Sequence, residues 1–185
     1  MTREDFFNKL NDIHDKIKNN LSYFWNKKYA SDDDYGVNYS KWVHEVTIKN
    51  KIIHQNKNST DKEMARRRRG EVYWIDFGKN IGSEFNNPHF GVVIYESFYT
   101  SVVVPISTKK DHLQNWKENE PLVVDIGKLD DLPKDKNECF ALVHQLTTVS
   151  KQRLSNYKAN GNYHKIKLSN SQMDIIDNAL KSICK

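Results

Sequence analysis

Two hydrophobic rhythms divide this chain. In residues 1–65, apolar positions recur every three or four residues. Phe6, Leu10, Ile13, Ile17, Leu21 and Phe24 line one face of a predicted helix. Thr2 followed by Asp5 gives that helix a capping signal. The run Asp32-Asp33-Asp34-Tyr35-Gly36 reads as a turn. A second helix is expected over about residues 40–53, with Trp42, Val46, Ile52 and Ile53 as a ragged apolar face, and Asn56-Lys57-Asn58-Ser59-Thr60 as a linker or frayed end. Such a pair buries little by itself. It covers an exposed face of the chain, acts as a regulatory or partner-binding arm, or supplies in cis a segment that a partner would otherwise provide.

From Arg69 the period shortens to two. Val72, Trp74 and Asp76 alternate with Tyr73, Ile75 and Phe77, a strand with apolar groups on both faces. Further strands are predicted at 90–95, 101–106, 122–126 and 139–149, and a sixth at 164–168. Strands this short and close favour a strongly bent barrel over a parallel sheet. A final helix is marked by a Ser169/Gln172 capping box and a Leu168/Met173 staple, with Met173, Ile176, Leu180 and Ile183 as the docking stripe. The expected fold class is α+β, mainly β. A helical N-terminal extension (1–65) precedes a barrel domain (66–185) that ends in a helix.

Composition narrows the function. The net charge of +5 and a pI near 9.0 suit a polyanionic partner, and the mean hydropathy of −0.80 suits a soluble chain. Cys139 and Cys184 form no CxxC pair, so a disulfide scaffold or zinc site is not expected. No cofactor and no metal are expected. The N-terminus lacks a signal-peptide core, and no apolar run approaches the about 18 residues that span a bilayer. These features predict a cytoplasmic protein with no membrane partner.

Candidate chemistry gathers at predicted strand ends. His89 follows the turn-forming Asn86-Asn87-Pro88 and precedes an apolar strand, which exposes it at a barrel rim. Ser107 ends the third strand, where its hydroxyl can bind a phosphate oxygen. His144 and Gln145 interrupt an apolar run and are placed within the fifth strand. If buried there, they need hydrogen-bond partners. Imidazoles suit RNA cleavage by the ribose 2′-hydroxyl, because a pKa of about 6.5 lets them accept or donate a proton near neutrality. Glu84 is the alternative base should His144 be buried. The loop 83–87, with Ser83, Glu84 and Phe85, and the loop 109–116, with Lys109 and Trp116, are the expected RNA grips. Trp116 equally suits a cap on the core. The block Arg66 to Arg69 reads as a solvated linker or as a phosphate attractor. His14, His44, His54, His112 and His164 have no ligand spacing and receive no role.

Three landmarks fall in one order: Arg69-Gly70-Glu71-Val72-Tyr73 leading to Gly82-Ser83-Glu84; Val104-Pro105-Ile106-Ser107; and His144-Gln145-Leu146-Thr147-Thr148-Val149-Ser150-Lys151-Gln152-Arg153-Leu154. With the C-terminal helix, the span of about 69–181 resembles the MazF/PemK toxins. The resemblance implies an SH3-like barrel, a homodimer, and metal-independent endoribonuclease activity on single-stranded RNA. It also implies neutralisation by an antitoxin, with DNA reached only through the antitoxin complex. The chain departs from the family pattern at telling places. Phe85 stands for the Gln after Gly-Ser-Glu, and His89 occupies the place of an important arginine. Ser107 replaces a threonine, His144 an acidic residue, and Thr147 an arginine. Histidine in an arginine's place changes the task from donating charge to moving a proton. The alternatives are a non-catalytic RNA- or partner-binding member of the fold, and a gyrase poison like the similarly folded CcdB toxins.

Overall fold

The computed structural model describes residues 1–25, 33–55, 66–80, 82–109, 119–130, 132 and 138–183, with the side chains of 23–25 and 33–35 outside the description. Its contacts divide the chain into two units, Met1–Ser59 and Thr60–Lys185.

The first unit holds α1 (Arg3–Trp25) and α2 (Asp33–Gln55), which pack on each other. Thr2 and Asp5 cap α1 reciprocally. The Thr2 amide donates to Asp5 Oδ2 at 3.0 Å, and the Asp5 amide donates to Thr2 Oγ1 at 3.1 Å. These bonds hold the Asp5 carboxyl below its ordinary pKa. The turn expected at 32–36 is corrected from Asp33 onward, because α2 starts there. Gly36 lies against α1, where an added Cβ would sit 3.6 Å from Leu21 Cβ, so it serves close packing rather than a bend. The predicted linker 56–60 lies outside the described residues. On α1, Phe6, Ile13 and Ile17 stay between 40% and 51% exposed.

Among its described residues, the second unit is mainly an antiparallel sheet followed by a C-terminal helix. Its strands are β1 (Glu71–Asp76), β2 (Pro88–Glu96), β3 (Thr100–Thr108), β4 (Val123–Lys128), β5 (Glu138–Leu142), β6 (Thr147–Ser150), β7 (Leu154–Ser155), β8 (Tyr157–Ala159), β9 (Asn162–His164) and β10 (Ile166–Lys167). The helix α3 (Asn170–Ile183) follows. The main sheet runs β10-β1-β2-β3-β5-β4, with β6 also paired to β3 and β7 to β1, while β8 and β9 form a separate hairpin. This is the mainly-β α+β architecture expected. Its ladder is not closed among the described residues, because β10 and β4 are its two ends.

The two-sided character of β1 has a direct structural meaning. Val72 and Trp74 face a core completed by Phe90, Val92, Val104, Ile106 and, from α3, Met173 and Ile176. Tyr73, Ile75 and Phe77 face a second core with Val93, Val103, Val149 and Leu154. Gly91 lies between them in β2. A Cβ there would sit 2.7 Å from Ile75 Cδ1, so the absence of a side chain admits the isoleucine.

The run 139–149 is not one strand. β5 pairs with β3 through Ile106↔Ala141 to Thr108↔Cys139, and β6 through Thr100↔Ser150 to Val103↔Thr147. Between them the ladder on this edge skips Val104 and Pro105, and the chain makes a 3-10 turn, Val143–Gln145. Pro105 has no amide to give a ladder. The predicted final helix begins as expected. The Ser169 amide donates to Gln172 Oε1 at 2.9 Å, and the Gln172 amide donates to Ser169 Oγ at 3.3 Å. Gln172 Nε2 also donates to the carbonyls of Ile126 (2.7 Å) and Lys128 (2.9 Å), which ties α3 to β4. The docking stripe is corrected at its end. Ala179 is buried, whereas Ile183 is 50% exposed on the last turn.

Candidate active site

The site lies where β1, β2, β3 and the turn after β5 come together. The loop leaving β1 is organised by asparagines. Asn80 Nδ2 donates to the carbonyls of Phe77 (3.2 Å) and Phe85 (2.8 Å), and the Asn80 amide bonds to Asn86 Oδ1. Asn86 Nδ2 donates to the Glu84 carbonyl at 2.7 Å. Asn87 has φ 67°, a left-handed conformation that asparagine tolerates, and its amide donates to the Gly78 carbonyl at 2.8 Å. The loop is thereby returned onto β2, with Lys79 Nζ bonded to Asn87 Oδ1.

Phe85 fixes the loop to the body of the protein. Its ring packs edge-on against Phe77 at 5.0 Å and tilted against the His89 imidazole at 4.6 Å. It also reaches the small apolar cluster of Val123, Phe140 and Leu142. The aromatic residue at this position is therefore a packing group. The His89 ring is half-buried against it.

His89 and Ser107 are brought together by strand register. β2 and β3 pair through Phe90↔Ile106, Gly91↔Pro105 and Val92↔Val104. The same antiparallel register sets His89 across from Ser107, one step beyond the last of these pairs. Cross-strand neighbours of this kind have Cβ atoms about 5 Å apart. Ser107 is in turn paired to Phe140 of β5.

His144 comes from the 3-10 turn and is exposed. Its predicted position inside a strand is thus corrected. The turn lifts it out of the ladder, so it requires no buried partner, and the condition for using Glu84 as the alternative base does not arise. Ser83, Glu84, Phe85, Asn86, His89, Ser107, Leu142, His144 and Gln145 line one open cleft of about 290 Å³. A second cleft of about 350 Å³ shares Glu84, Phe85, His144 and Gln145 and continues to Thr147, Thr148 and Arg153.

Arg153 is the residue that sequence reasoning left without a role. Its Nη1 donates to the Phe77 carbonyl at 3.2 Å and the Asp76 carbonyl at 3.4 Å, which holds its guanidinium beside the end of β1. The Lys-x-Arg-Leu landmark carried the available signal. Lys151 of the same landmark is 6% exposed, and its Nζ meets Glu96 Oε1 at 2.5 Å. Burial opposes ionisation of Glu96. The Lys151 hydrogen bond, the Arg67 amide and the charges of Lys151 and Arg66 outweigh burial and keep its carboxyl below the ordinary range.

Lys109 is not brought into either cleft. It pairs with Asp125 and lies 5.0 Å over the Phe140 ring. Burial raises the Asp125 pKa, but the hydrogen bonds from Lys109 and the Gly127 amide, with the Lys109 charge, bring it below its ordinary value. Trp116 lies outside the described residues. No helix among the described residues is long and apolar enough to cross a membrane.

An assembly of imidazoles, a hydroxyl and a carboxylate along an open groove can move protons and hold an anionic group. Comparison with curated proteins gave no match. Residues 68–184 match the family model described as PemK-like, MazF-like toxin of type II toxin-antitoxin system. The match takes in both clefts and every strand, and the chain belongs to this toxin family.

Proposed function

We propose that residues 66–185 form an endoribonuclease that cleaves single-stranded RNA without a metal, with residues 1–65 an appended helical extension. The family implies a toxin of a toxin–antitoxin system, and its members are generally endoribonucleases. The observation that carries the chemical reading is the convergence of His89, Ser107 and His144, from three chain segments, on one cleft.

In this reading the ribose 2′-oxygen attacks phosphorus while one imidazole takes its proton. The bond from phosphorus to the 5′-oxygen breaks, and the other imidazole protonates that oxygen. The products are a 2′,3′-cyclic phosphate, or the 3′-phosphate after hydrolysis, and a 5′-hydroxyl. Ser107 donates to a phosphoryl oxygen. Ser83, Glu84, Phe85 and Gln145 line the path of the strand, and Arg153 adds a fixed positive charge. Lys109, paired with Asp125 outside both clefts, is peripheral to this reading, and Trp116 enters it only as the RNA contact expected from sequence. The working form is a cytoplasmic homodimer held in check by a cognate antitoxin.

The test is incubation of the whole protein with mixed single-stranded RNA in EDTA, with mapping of the product ends. His89→Ala and His144→Ala should each slow cleavage by about 10²-fold or more, with circular dichroism unchanged. Intact RNA with the unaltered protein, or full activity in both variants, would overturn the proposal.

A further inference from the structure

A third cleft, of about 520 Å³, opens at the other end of β1 and shares no lining residue with the two described above. It lies where the neighbours of β1 change. β10 covers Glu71 and Val72, β7 covers Trp74 and Ile75, and Tyr73 falls between them. Arg66, Arg67, Arg68, Lys165 and Lys167 line it, against a single carboxylate, Glu71.

These cations are not equivalent. Arg66 lies 3.7 Å from Glu96. The Arg67 guanidinium stacks over the Tyr73 ring at 4.8 Å and donates to the Leu154 carbonyl at 3.4 Å. Its Nε is buried with no hydrogen-bond partner, so part of its desolvation cost is not offset within the chain. The side chains of Arg68, Lys165 and Lys167 are exposed and make no ion pair among the described residues. Glu71 is already engaged by the Arg68 amide at 2.8 Å and by the Tyr73 hydroxyl at 2.5 Å. The acid is therefore turned to the protein's own donors while the cations remain available.

We propose that this cleft is a second phosphate-binding subsite, which holds the backbone of an RNA strand outside the cleavage groove. The inference rests on the endoribonuclease reading for the identity of the strand. The geometry favours one continuous track. Tyr73 borders this cleft and Phe77 borders the cleft with Arg153, about 13 Å further along β1 at ~3.3 Å per residue. β7 lies beside β1 over the same interval, with Arg153 before it and Asn156 after it.

The experiment measures binding of 2′-O-methyl oligonucleotides of about four and about sixteen nucleotides at several salt concentrations. It compares the unaltered protein with the triple variant Arg68→Ala, Lys165→Ala, Lys167→Ala. Each phosphate contact on a single strand adds about 0.7 to the log–log salt slope, or about fivefold in affinity at 0.1 M salt. The triple variant should bind the longer probe about 100-fold more weakly, with a slope shallower by about 2, and the shorter probe unchanged. The single variant Lys165→Glu should move the longer probe in the same direction. Unchanged affinity for the longer probe overturns the proposal. Retained oligonucleotide binding with lost polyglutamate binding also overturns it, in favour of an acidic protein partner. Tight binding of the longer probe with intact cleavable RNA would instead defeat the nuclease reading and leave the subsite standing.

Discussion

Removing the Lys151 ammonium tests how the sheet unit is held together. Lys151 is 6% exposed, and its partner Glu96 is 19% exposed at the side chain. The pair joins the start of the second 3-10 turn, Lys151–Arg153, to the end of β2, and the Lys151 amide also donates to the Tyr99 carbonyl at 3.0 Å. Breaking a buried pair by deleting one member costs about 3–5 kcal/mol. Glu96 keeps the Arg67 amide and some water, so Lys151→Met should cost nearer ~3 kcal/mol. With a urea m-value of about 2 kcal/mol/M, the midpoint should fall by about 1.5 M. Lys151→Met combined with Glu96→Gln should recover a good part of that loss, because no uncompensated charge remains. Acid supplies an independent readout. The folded Glu96 pKa lies below its unfolded value, so its contribution is complete above the unfolded pKa of about 4.3 and disappears as pH falls through the folded value. The double variant should lack that part of the acid destabilisation. Additive losses in the cycle, or an identical acid profile, would refute the argument.

Gly91→Ala should cost about 1–3 kcal/mol in thermal unfolding, because the new methyl meets Ile75 Cδ1 in a filled core. Adding Ile75→Val removes that carbon and should restore part of the loss. Gln172→Ala forfeits a cap and two bonds to β4, and urea titration should show about 1–2 kcal/mol lost. The Cys139 thiol is fully buried. Burial, with the nearby charges of Asp125 and Glu138, pushes its pKa up to about 12 against the opposing effect of Lys109. Iodoacetamide at pH 8 should label it only in denaturant, and rapid labelling of the peptide that carries Cys139 in the native protein would contradict the packing.

The parts of the fold legible in the sequence are those where one local signal decides. Alternation in 72–77 announced a strand buried on both faces, and the Ser169/Gln172 pair announced the start of α3. The strands β7 and β10 have two residues each, too short for any period, and exist because β1 offers them an edge. The 3-10 turn at Val143–Gln145 was hidden because no glycine or proline marks it. It falls opposite Val104 and Pro105, the two β3 residues that this edge of the ladder skips. His89 and Ser107 were readable as strand-end residues, but their pairing is a matter of register across β2 and β3. Arg153 escaped notice because its place beside β1 depends on carbonyls more than seventy residues earlier in the chain.

A strand with one wet face is protected against slippage, because a shift by one residue would bring its apolar side chains into water. β1 has less of that protection, since both of its faces carry buried apolar side chains. What penalises misalignment here is shape. The hollow left by Gly91 accepts the tip of Ile75 and would not accept the indole of Trp74 arriving in its place. A single missing side chain thus acts as a steric key, and on it depends which ends of the strand meet the cleft that holds His89 and the arginine-lined cleft.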